Sequence, residues 1–166
     1  MTRFDELCHA LSAARKKYLR WRSDFIVFAE ELRDNLQEYL SSPIDKVKFA
    51  PLNEPRHRDA VYSVREALFL DADTVWHLGI AITLYEMPGG VGEETHILDI
   101  QITKKTGKYL LQLAPHSQEF TVDSGERATF QPFFDFIFAE LTRYYDEGLT
   151  DFLEHGENVR HIGFTH

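Results

Sequence analysis

The sequence predicts an α+β fold, in which a long N-terminal helix and a C-terminal helix pack on a four- to five-stranded antiparallel meander sheet. Three observations predict it: apolar residues recur with helical spacing over 1–42, alternate with polar ones over 61–122, and return to helical spacing over 131–155. The chain has 166 residues, within the usual range of roughly 100–200 residues for one domain. We therefore interpret residues 1–166 as a single domain.

The N-terminal helix rests on the clearest pattern in the chain, a row of apolar residues that we call the seam. Its steps alternate between three and four positions, which is the 3.5-residue period of a helix packed lengthwise on another helix. Thr2 is a favourable N-cap residue, and Pro43 disfavours helical geometry in the residue before it, so the helix is expected to end near 41–42. The seam consists of Phe4, Leu7, Leu11, Ala14, Tyr18, Trp21, Phe25, Phe28 and Leu32.

The length of this helix has a consequence of its own. At about 1.5 Å per residue it extends for about 55–60 Å, which exceeds the diameter expected of a compact domain of this size. The helix therefore protrudes, bends or packs on a second copy, and the sequence leaves these three alternatives open.

The middle of the chain reads as short strands joined by turns. Residues 43–60 hold three prolines and are interpreted as a loop with one short edge strand. Alternation then predicts strands that suit an antiparallel sheet with one face on a helix layer. The predicted strands are 44–49, 61–70, 75–86, 98–103, 109–113 and 119–122, with turns at 71–74 and 104–107 and a glycine-rich loop at 87–92.

The C-terminal region predicts two helices and a tail. Pro132 suits the first position of a helix, because its missing N–H is not needed there. A broad apolar stripe follows, and Gly148 is a natural C-cap. A shorter helix is expected from residue 150 or 151 to His155, and the tail 156–166 shows no clear structure.

The net charge and the cysteine content limit which functions and which cellular compartment we expect. The net charge of −9 disfavours nucleic-acid binding, which needs a basic surface to displace counterions from phosphates. Residues 123–157 are acidic, with Arg127 and Arg143 as their only Lys or Arg residues, so a basic protein partner is expected. Cys8 is the sole cysteine, and no apolar run is long enough for a signal peptide or membrane span. These features predict a cytoplasmic protein.

His77 and Asp99 are the residues most suited to chemistry. Each lies on the polar face of its predicted strand, so the two side chains are expected to meet on neighbouring strands. They give an alternative function, a metal-dependent hydrolase or nuclease. Against it, Asp99-x-Gln101-x-Thr103 resembles a nuclease site but has threonine in the lysine position, and neither HExxH nor CxxC occurs. No cofactor, catalytic residue or metal ligand is predicted in the leading interpretation.

That leading interpretation is a non-enzymatic protein–protein interaction module of the chaperone, adaptor or neutraliser kind, forming a homodimer. The seam needs an apolar partner, and the second sheet face mixes small, apolar and polar residues, as contact surfaces often do. An equally good interpretation is that the C-terminal helix covers that face. The interface candidates are Tyr18, Trp21, Phe25 and Phe28 on the seam and His77, Ala81, Thr83, Tyr85, Asp99 and Gln101 on the sheet.

Overall fold

One antiparallel sheet carries helices on one of its faces. The structure is a computed structural model that describes residues 1–57, 59–86, 93–155 and 164–165. The helices are α1 (Arg3–Tyr39), α2 (Val64–Ala67) and α3 (Gln131–His155), with a 3₁₀ turn at Arg127–Phe130. The strands are β1 (Val47–Phe49), β2 (Leu68–Leu70), β3 (Trp76–Tyr85), β4 (Glu93–Lys105), β5 (Lys108–Leu113), β6 (Phe120–Val122) and β7 (Phe164–Thr165).

The sheet is built around a meander. Its main path runs β1-β3-β4-β5-β6, while β2 pairs with β3 and β7 pairs with β4. The longest ladder joins β3 to β4, from Trp76 opposite Ile102 to Tyr85 opposite Glu93, and every pairing is antiparallel. The predicted α+β class, with a long N-terminal helix, a C-terminal helix and an antiparallel sheet, is confirmed.

The hydrophobic core lies between the sheet and the helices and is rich in aromatic rings. Phe25 stacks on Trp76, with ring centroids 5.3 Å apart. Phe28 stacks on Tyr109 at 3.7 Å and also contacts Phe130 at 5.8 Å. Burial of each large apolar side chain contributes about 1.5–3 kcal/mol, so these contacts fix the C-terminal half of α1 on the sheet.

Both ends of α1 have an identifiable cause. The Thr2 hydroxyl accepts a hydrogen bond from the Asp5 N–H at 3.1 Å, and the Asp5 carboxylate accepts one from the Thr2 N–H at 2.8 Å, so Thr2 is the N-cap. The helix ends at Tyr39 rather than near 41–42, because Ser41 adopts the left-handed conformation with φ +49°. The Ser41 and Ser42 N–H groups then bond back to Glu38 and Gln37, which is a Schellman end.

Two segments differ from their predicted form. Residues 61–70 are not one strand, because Ser63 and Glu66 form a capping box that starts the single turn of α2 before β2. The helix α3 does not end at Gly148 but continues to His155, since a glycine inside a helix costs only about 1 kcal/mol. Within the predicted tail, 164–165 form β7 beside β4, and residues 156–163 and 166 lie outside the described residues.

Candidate functional site

The N-terminal half of α1 carries more exposed large apolar side chains than any other described element. Every side chain from residue 1 to 21 is exposed, although residues 3–21 are helical. The seam is therefore exposed to solvent in the N-terminal half of α1, whereas it is buried in the C-terminal half. The exposed fractions are 73% for Phe4, 69% for Leu7, 54% for Leu11, 46% for Tyr18 and 36% for Trp21.

Trp21 marks the boundary between the exposed and buried halves of the seam. Its ring contacts Tyr18 on the exposed side, with centroids 6.0 Å apart. On the other side it meets Phe25 at 5.4 Å and Trp76 of β3 at 5.5 Å, both edge to face. The apolar surface is thus continuous from the projecting helix to the rim of the core.

The four interface candidates on the seam fall on both sides of this boundary. Tyr18 and Trp21 are accessible, whereas Phe25 and Phe28 are 1% and 0% exposed because the chain's own sheet covers them. The accessible seam therefore runs from Phe4 to Trp21, and the apolar spacing alone does not show where it stops.

The second sheet face is covered over its middle by the loop that follows β1. The Ala50 N–H donates to the Gly79 carbonyl at 3.0 Å, and a Cβ on Gly79 would lie 1.9 Å from the Ala50 carbonyl oxygen. Only glycine allows so close an approach. Ala50, Ala81 and Ile97 form a small buried cluster there, against which Leu52 packs. The cover is this loop rather than the C-terminal helix.

The remaining candidates on this face make local contacts. The Thr83 hydroxyl hydrogen-bonds the Thr95 hydroxyl at 2.9 Å, and the Tyr85 ring lies under the Lys46 ammonium, 4.5 Å from its centroid. Gln101 is half-buried. Ala81 itself is only 6% exposed.

His77 and Asp99 do lie side by side. The His77 Nδ1 is 3.0 Å from an Asp99 carboxylate oxygen, and its Nε2 is 3.4 Å from Asp73. The Phe69 ring stacks on the imidazole, with centroids 5.3 Å apart and planes 14° from parallel. With only 7% of its surface exposed, the imidazole is held between two carboxylates and an aromatic ring.

The electrostatics of this cluster favour a charged imidazole. Burial lowers the pKa of His77, but the hydrogen bonds and charges of Asp99 and Asp73 raise it by more, so the net pKa is raised above 6.5. The pKa of Asp73 is lowered, first by a hydrogen bond from the Val75 backbone and also by His77. His77 and Asp73 therefore stabilise each other's charged forms, and Asp99 contributes to the raised pKa of His77.

Asp71, Asp73 and His77 could also hold a metal ion. One ligand atom from each lies within 4.8 Å of the others, and two carboxylates with an imidazole form a donor set that Zn²⁺ or Mn²⁺ accepts. Asp99 would then orient the imidazole through Nδ1, as acids behind metal-bound histidines do. The prediction named His77 and Asp99 but missed the two turn residues, whose only signal is an Asp-x-Asp pair four residues before the histidine.

Among the described residues, no helix has both the length and the apolar character needed to cross a membrane. Comparison with protein-family models, with curated proteins and with solved structures finds no match to this chain, so the case for its function rests on its own residues.

Proposed function

We propose that this chain is a non-enzymatic protein–protein interaction module that works in the cytoplasm and binds its partner through the exposed half of α1. The observation that carries the proposal is the row of Phe4, Leu7, Leu11 and Tyr18, which is exposed to solvent along the N-terminal half of this helix. Exposed apolar rows of this length mark interaction surfaces more often than they occur without a partner.

The energetics support a bound helix over a free one. Most helices in proteins are stabilised by packing of an apolar face. The seam side chains from Phe4 to Tyr18 remain 46–73% exposed or, in the case of Ala14, exposed, so they receive little such packing from the described chain. Burial of each large seam side chain would contribute about 1.5–3 kcal/mol, enough for a few of them to hold a partner.

The net charge of the chain and the charges beside the seam indicate which kinds of partner this surface can bind. The net charge of −9 favours a protein partner with basic regions and disfavours nucleic acid. The exposed half of α1 is itself locally basic, with Arg15, Lys17 and Arg22 directly beside the seam. A partner on this surface should therefore place apolar residues against the seam and no basic residue directly opposite Arg15, Lys17 or Arg22. Homodimer formation along the seam is part of the proposal.

Photo-crosslinking in the native host tests the surface. We would place a photoreactive residue at Leu11, on the seam, and in a matched control at Ser12, one position round the helix; both are exposed. We expect a discrete protein adduct from position 11 and little from position 12. Absence of an adduct at position 11, or equal adducts at both, would contradict the proposal.

A second candidate function is a metal-dependent hydrolase or nuclease that uses His77 and Asp99. The contact between these two residues, 3.0 Å long, and the ligand geometry of Asp71, Asp73 and His77 favour it. A bound divalent ion would supply an activated water at neutral pH. In this alternative His77 and the two turn carboxylates hold the ion, and Asp99 keeps the imidazole in place.

Calorimetric titration with Zn²⁺ and with Mn²⁺ tests this candidate. We expect one ion to bind per chain, binding to be lost in His77→Gln, and the affinity to fall about 10–100-fold in Asp99→Asn, as for other residues that orient a metal-bound histidine. An unchanged affinity in His77→Gln, or no stoichiometric binding to the wild-type chain, would exclude the site.

A further inference from the structure

We infer that the exposed half of α1 binds a second copy of this chain, with the two helices antiparallel. The inference rests on the proposed function and adds the orientation and register in which two copies meet at that same surface. It follows from three features of α1: where the seam becomes buried, where the helix begins, and how the flanking charges are arranged.

The buried half of the seam decides the orientation. The seam is one row, and its continuation at Phe25, Phe28 and Leu32 is covered by the chain's own sheet. In a parallel, in-register pair the two sheets would both lie between the helices directly after Trp21, and the helices would have to separate there. In an antiparallel pair the two sheets lie at opposite ends and do not meet.

The start of the helix sets the overlap. The Thr2 capping box begins α1 at Arg3, so an antiparallel copy can advance until its Arg3 is level with Arg22, just before burial begins at Phe25. In that register the seam matches itself in layers, because each three-residue step on one helix faces such a step on the other. The layers, each formed twice, are Phe4 with Trp21, Leu7 with Tyr18, and Leu11 with Ala14 of the other copy.

The charges beside the seam favour the same arrangement. Residues that flank the seam of an antiparallel pair meet diagonally, two positions away from the level residue. In this register Arg3 therefore lies opposite Asp24 of the other copy, and Lys17 lies opposite Ala10. In the parallel register Lys17 would lie opposite Arg22, a like-charge pair formed twice. Asp24 is accessible, with 49% of its side chain exposed and Lys104 3.4 Å away. Flanking charges of this kind set orientation in paired helices.

The single native cysteine allows a direct test. Cys8 is exposed and follows the seam residue Leu7, and in the antiparallel register it faces Arg15 of the other copy. In a parallel pair it would face Arg3 instead. The full-length variants Arg15→Cys and Arg3→Cys, oxidised with diamide, therefore distinguish the two orientations. Within one helix, residues 8 and 15 lie about 10 Å apart and residues 3 and 8 about 7.5 Å along the axis, too far for an internal disulfide, so each crosslink reports on two copies.

We expect Arg15→Cys to yield a disulfide-linked dimer and Arg3→Cys to remain monomeric on a non-reducing gel, while the wild-type chain sediments at twice its mass of 19.3 kDa. The reverse pattern would overturn the antiparallel inference and leave the proposed function standing. A wild-type monomer with no crosslink in either variant would overturn self-association. A photo-crosslinked adduct of position 11 with a different protein would then still support the interaction module. The absence of any adduct would contradict both the interaction module and self-association.

Discussion

The His77 imidazole lies between Asp99 and Asp73, and its raised pKa makes the stability of the fold depend on pH. The folded chain binds the proton more tightly than the unfolded chain does. The stabilising contribution is therefore fully present below pH 6.5, the ordinary value, and is lost as the pH rises through the raised value. We expect the free energy of unfolding, measured with urea at a series of pH values, to fall from about pH 6.5 upward.

The variant His77→Gln isolates this contribution from those of the other histidines. It should flatten the part of the pH profile that lies above 6.5, while the slope caused by the other groups remains. Asp99→Asn removes the acceptor of a hydrogen bond to a charged group and should cost roughly 1.5–3 kcal/mol below that pH. An identical profile in wild type and His77→Gln would show that another group titrates.

The helix α1 has two environments along its length, one buried and one exposed. Leu32 is fully buried, whereas Leu11 is 54% exposed. We expect Leu32→Ala to lower the free energy of unfolding by about 2–5 kcal/mol. Leu11→Glu should change it by less than about 0.5 kcal/mol when measured on monomeric protein, and should weaken dimer formation at higher concentration.

Denaturant unfolding followed by circular dichroism, with sedimentation of the same samples, measures both effects. Ser12→Glu is the matched control, because it adds the same charge one position away from the seam and should leave the dimer intact. If Leu11→Glu destabilised the monomer as strongly as Leu32→Ala, the exposed half of α1 would be packed against the chain after all.

Apolar spacing predicted helices and strands well where the pattern is long. It predicted their ends less well, because a few polar contacts determine where an element begins and ends. The row from Phe4 to Leu32 predicted α1 and the alternation over 75–86 predicted β3. Spacing could not show that Ser41 ends α1 in a left-handed conformation. Nor could it show that Ser63 and Glu66 start a helical turn inside a stretch that alternates like a strand. These ends depend on hydrogen bonds of single residues.

The candidate site could be predicted only in part. Strand alternation brought His77 and Asp99 together, because that contact follows from sheet geometry. The approach of Asp73 depends on the turn conformation, in which Thr74 adopts φ +66°, and the Asp-x-Asp pair in the sequence does not reveal that conformation. The seam gave Tyr18 and Phe25 equal weight, since spacing records which side of a helix is apolar and not how far the sheet beneath it extends.

If two copies pair through antiparallel α1 helices, the dimer should be an elongated particle. The projecting part of α1, residues 3–21, is about 28 Å long at about 1.5 Å per residue, so it would separate the two sheet-containing bodies. We expect the X-ray scattering of the dimer to give a distance distribution with a second maximum from the two separated bodies. A single-peaked, compact distribution would instead indicate association through the sheet.

The unbroken course of α1 has a mechanical consequence. The same 37-residue helix supplies side chains to the core and carries the exposed row, with no glycine or proline between them to act as a joint. A partner bound at the N-terminal end of α1 therefore fixes the orientation of the sheet. The two sheet-containing bodies of such an assembly would tumble in solution as one rigid object.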